Sequence, residues 1–166
     1  MSDLRARIET HLGSGQVAKV VYGSIIGLAL VTALAGHPPR AVAMIVYLLG
    51  TAVAVGLAEM YSEIVGAETR NRHRITRPQL VPMVDDALAV AFGIAFPALF
   101  FLLALIGVIS VDTGFSLAKD CGLALIGFYG FWAARFAGAP VHQALFRAVL
   151  VALVGGALIA LKSLLH

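Results

Sequence analysis

Stretches of about twenty apolar residues recur five times along the chain, with charges gathered mostly at their ends. A helix needs about 20 apolar residues to cross the hydrocarbon of a bilayer. Lipid offers no partner to backbone N–H and C=O groups, so a spanning segment of this length satisfies them within one helix. The runs cover about 20–36, 41–65, 87–110, 117–136 and 144–165, and the third holds no charge. Of the 166 residues 60% are hydrophobic and 13% charged, with a mean hydropathy of +0.94. Soluble domains carry about 45–50% apolar and about 25% charged residues. Too little polar surface remains to cover a core in water, which excludes a soluble single-domain enzyme and a disordered chain. The expected fold is an all-α integral membrane protein with five transmembrane helices in the lipid bilayer.

The connections alternate in charge. Arg5, Arg7, Lys19, Arg70, Arg72, Arg74, Arg77, Arg135 and Arg147 fall on one side, and only Arg40, Lys119 and Lys162 on the other. The positive-inside rule then places the N-terminus in the cytoplasm and the C-terminus outside, in a multi-pass inner (plasma) membrane protein. This account of the basic residues removes the need for a nucleic-acid partner. Residues 1–19 read as a cytoplasmic arm and 20–166 as the five-helix domain. Within the arm Leu4, Ile8 and Leu12 recur every four residues, the stripe of an amphipathic helix lying on the inner leaflet or docking a partner. Ala33-Leu34-Ala35 imitates a signal-peptide cleavage site, but the long polar arm with Asp3 and Glu9 favours a retained anchor. The single Cys121 permits no disulfide within one chain and reads as a small hydrophobe.

Small residues mark where helices approach closely. Gly23 and Gly27 form a GxxxG in the first span, Gly122, Gly127 and Gly130 line the fourth, and Gly155-Gly156 lie in the fifth. They serve packing within the chain or, along the first span, the seam of a homodimer. Pro97 in the third span removes a backbone hydrogen bond and predicts a kink, which in a carrier acts as a hinge. No Walker loop, HExxH, nucleophile elbow or paired CxxC is present, so the expectation is not an enzyme.

Acidic groups within spans are costly and are functional candidates. Glu59 and Glu63 lie four apart in the second span and share one helical face. Two such carboxylates repel unless a cation, a proton or an Arg sits between them. They are candidate metal ligands or proton carriers, with Tyr22, Ser62 and Met60 as further donors. The simpler alternative leaves Glu63 in water and pairs Glu59 with a nearby Arg. Asp85-Asp86, after Pro82, read as the start of the third span, where carboxylates favour the helix dipole; Asp86 could also tune the entrance to Glu59. Lys119 and Asp120 read as the start of the fourth span.

The stretch Gly56-Leu57-Ala58-Glu59-Met60-Tyr61-Ser62-Glu63 resembles the small-residue-Gly-Glu-Tyr stretch of the vacuolar iron transporter and nodulin-21-like family. The C-terminal FRAVLVALVGGALIALKSLL and the stretch Ala133-Ala134-Arg135-Phe136-Ala137-Gly138 are similar to its fifth helix and the segment before it. The resemblance implies five helices, a homodimer, and exchange of iron or manganese for protons, with Glu59 in the ion path. Two features depart from that pattern. Tyr22 precedes Gly23 where the family carries an acidic residue, and the connection after the second span is rich in Arg rather than Glu. Two functions are therefore expected: transport of a divalent cation against protons, or a non-transporting subunit or scaffold that docks a membrane-protein partner. In the second, the Arg-rich connection would meet anionic lipid or an acidic protein surface.

Overall fold

Two adjacent prolines set the first corner of the fold. Pro38 and Pro39 supply no backbone N–H and disfavour helical backbone before them, so the chain turns after Leu34 and restarts at Ala41. A computed structural model describes residues 16–164, and every regular element among them is α-helical. In chain order these are α1 (Gln16–Leu34), α2 (Ala41–Asn71), α3 (Arg77–Ala95), α4 (Ala98–Leu105), α5 (Val111–Phe136) and α6 (Val141–Leu164). Three of them, α1, α2 and α3, are long and apolar enough to cross a membrane. Most of the arm, through Gly15, lies outside the described residues.

The boundaries differ from the expected ones for local reasons. Lys19, assigned to the arm, lies inside α1, because its charge is met by side chains of α2 described below. Helix α2 runs six residues beyond the expected end and closes with Arg72 in the left-handed region (φ 55°), whose N–H donates to the Glu68 carbonyl at 2.8 Å. Helix α3 starts at Arg77, where Gln79 Oε1 accepts from the Thr76 N–H (2.9 Å) and hydroxyl (2.8 Å). Asp85 and Asp86 thus sit in the third turn of α3 rather than at its start, beyond the reach of the terminal dipole. Lys119 and Asp120 likewise lie well inside α5, which begins where Ser110 Oγ accepts the Thr113 N–H at 3.1 Å. Replacing Gln79 with alanine should lower stability by about 0.5–1 kcal/mol, read as a lower midpoint of unfolding in detergent.

The expected third span is two helices. Pro97 has no N–H for the preceding turn, and the backbone tightens to i→i+3 bonds, Leu99 N–H to Phe96 O (3.2 Å) and Phe100 N–H to Pro97 O (3.1 Å). The break delivers α4 into the core. Phe101 is fully buried and meets Phe115 edge-on with ring centroids 4.9 Å apart, among Val31, Met44 and Leu48.

Helix α1 is the centre of the bundle. It packs most extensively on α3, next on α5, and touches α6 and α2. Helix α3 also packs along α2, so it separates α1 from α2 over most of their length. The α1–α3 contact is backbone to backbone: a Cβ built on Gly23 would stand 2.1 Å from the Val90 carbonyl oxygen, and one on Gly93 2.5 Å from that of Val20. Gly27 faces Ile94 in the same way. The GxxxG of the first span is therefore spent on packing within the chain. Gly156 has open space around it, and Gly155 lies beside it on α6.

Candidate functional site

A 31-residue helix that starts at Ala41 carries Glu59 eighteen residues along, about 27 Å at 1.5 Å per residue. The preceding helix runs the other way and carries Lys19 fifteen residues before its end, about 22 Å away. The two positions therefore meet at the same end of the bundle. There the Lys19 ammonium donates to Glu59 Oε1 and to Glu63 Oε1, the latter at 2.6 Å. These are the only ion pairs among the described residues.

The i, i+4 spacing makes this clamp work. Glu59 and Glu63 stand one above the other on α2, and one ammonium with three protons reaches both. The cation that two facing carboxylates require is thus a lysine of the chain, from the segment that sequence reasoning assigned to the arm. The signal available was register: Lys19 is the cation on the first span at the depth of Glu59.

The clamp is neither sealed nor bathed. The side chains of Lys19, Glu59 and Glu63 keep 25%, 21% and 25% of their surface exposed. A third carboxylate belongs to the same field: Asp86, half-buried on α3, lies within Coulombic reach of Glu63, Lys19 and Glu59. The ammonium bonds two of these three carboxylates and makes no ion pair with Asp86. Close contacts of α3 position Asp86, since a Cβ on Gly56 of α2 would lie 3.3 Å from the carbonyl oxygen of Ala87.

The other expected donors are not drawn in. Tyr22 is 49% exposed and makes no hydrogen bond among the described residues, and Met60 and Ser62 lie beside the clamp in sequence without a bond to it. Among the described residues, no group of three or more His, Cys, Asp or Glu is placed to hold a metal ion. A groove of about 420 Å³ opens nearby, lined by Val17, Val20, Asp85, Leu88, Phe92 and Tyr129, and neither Glu59 nor Glu63 lines it.

No protein-family model, curated protein or solved structure matches the chain.

Proposed function

We propose that the protein crosses the inner membrane five times and works as a non-transporting subunit, a helical platform for a membrane-protein partner. In this reading α3 and α4 together make the third crossing, the N-terminus is cytoplasmic and the C-terminus outside. The alternating charge of the connections supports that topology. The observation that carries the functional reading is the clamp: Glu59 and Glu63 already share a cation tethered to the chain. An ion pair of this kind, held between helices that otherwise touch little, serves as a lock on their register. A homodimer remains part of the proposal, through a face other than Gly23 and Gly27.

The second reading is the one implied by the resemblance to vacuolar iron transporters, and Asp86 favours it. Three carboxylates against one ammonium leave an excess of negative charge, which would draw a proton or a cation. Ferrous iron or manganese would then be cargo, and Lys19 the group that each ion displaces from Glu59.

Proteoliposomes loaded with a pH dye separate the two. With ferrous iron or manganese outside, the subunit reading expects no metal entry and no proton movement. Glu59→Gln should then change only thermal stability. Metal entry with opposite proton movement, abolished by Glu59→Gln in folded protein, would replace this reading with the transporter.

A further inference from the structure

The turn between α2 and α3 and the helix ends beside it present four arginines in eight residues, Arg70, Arg72, Arg74 and Arg77, with Glu68 the one carboxylate between Glu63 and Asp85. All four are exposed, and none forms an ion pair among the described residues. The turn is held at both ends. Glu68 accepts the Arg72 N–H through its carbonyl and the Ile75 N–H through Oε1 at 3.3 Å, so its carboxylate is engaged with backbone. Gln79 fastens Thr76, and Arg70 lies over Gly66. Four guanidinium groups are thus offered from a fixed backbone, none of them paired with a carboxylate among the described residues.

The surroundings say what meets them. The turn joins two helices long and apolar enough to cross a membrane. Beside it, Tyr61 and Val65 on α2 and Val81 and Val84 on α3 are exposed apolar side chains. An end of the bundle with cations at its tip and apolar side chains within about three turns of it matches the boundary between headgroups and acyl chains. A guanidinium fork fits two phosphate oxygens at once, which an ammonium does not.

We propose that this turn is a docking surface for anionic phospholipid headgroups, gripped through their phosphate oxygens by Arg70, Arg72, Arg74 and Arg77. The inference rests on α2 and α3 crossing a membrane and is independent of whether the protein transports.

The test uses the full chain in detergent, with bound lipids counted by native mass spectrometry after addition of phosphatidylglycerol or phosphatidylcholine. Phosphatidylglycerol should be retained several-fold better, less so at high salt. Replacing the four arginines with glutamine should bring the ratio near one, each arginine contributing up to about fivefold. Replacement with lysine should give an intermediate ratio, and Arg40→Gln at the opposite end should leave it unchanged. If the fourfold glutamine variant does not fold, Arg72→Gln with Arg74→Gln tests the same point on two turn residues. A ratio near one for the natural chain, or one unmoved by the glutamine variants, overturns the proposal. So does displacement of phosphatidylglycerol by a glutamate-rich peptide at lower concentration than by added lipid, which would assign the surface to an acidic protein.

Discussion

Replacing Lys19 with methionine should destabilise the protein by about 2–3 kcal/mol, the largest single loss among substitutions of the described charged residues. Removing one partner of a fully buried ion pair costs about 3–5 kcal/mol, because it strands the other charge. Here two carboxylates are stranded together, one turn apart on α2, and they repel. The quarter of each side chain that stays exposed moderates the cost. The triple variant Lys19→Met, Glu59→Gln, Glu63→Gln should recover most of the loss, since it removes the charges on both sides. Unfolding by denaturant in detergent, run as a mutant cycle, measures this coupling. If the triple variant is as unstable as Lys19→Met alone, the ammonium bridge does not hold α1 to α2.

Gly23→Ala should be the most damaging of the glycine-to-alanine changes among the described glycines. Its Cβ would stand 2.1 Å from the Val90 carbonyl oxygen and 2.9 Å from the carbonyl carbon, and backbone cannot rotate aside as a flexible side chain does. Helices α1 and α3 must separate along their contact, at a cost of at least about 1–3 kcal/mol. Gly50→Ala is the matched control on α2, with nothing within 4 Å of the added atom. Alanine there should be neutral or stabilising by up to about 1 kcal/mol through helix propensity. Equal unfolding midpoints for the two variants would contradict a backbone-to-backbone α1–α3 seam.

These two predictions mark the limit of what is legible along the chain. The i, i+4 spacing of Glu59 and Glu63 announces a shared face and a need for positive charge. It does not announce that the charge comes from Lys19, forty residues earlier in a segment that reads as a polar arm. That depends on how far two antiparallel helices run past each other. The GxxxG of Gly23 and Gly27 announces a close approach but not its partner, because any helix backbone fits such a groove. Pro97 announces a broken ladder; that the break turns Phe101 onto Phe115 follows only from where α5 stands.

The sequence by itself determined that the chain is helical and apolar enough for membrane, that prolines break it after Leu34 and at Pro97, and which acidic residues need explanation. These are consequences of local periodicity, missing donors at proline and the cost of charge in hydrocarbon, all written within a few residues. Only the tertiary structure decided that α3 lies between α1 and α2, that the glycine seam is filled from within the chain, and that Lys19 closes the acidic pair. Helix order in a bundle is set by side chains and backbones meeting across long sequence separations. No local pattern encodes those meetings, because each depends on the register of every helix at once.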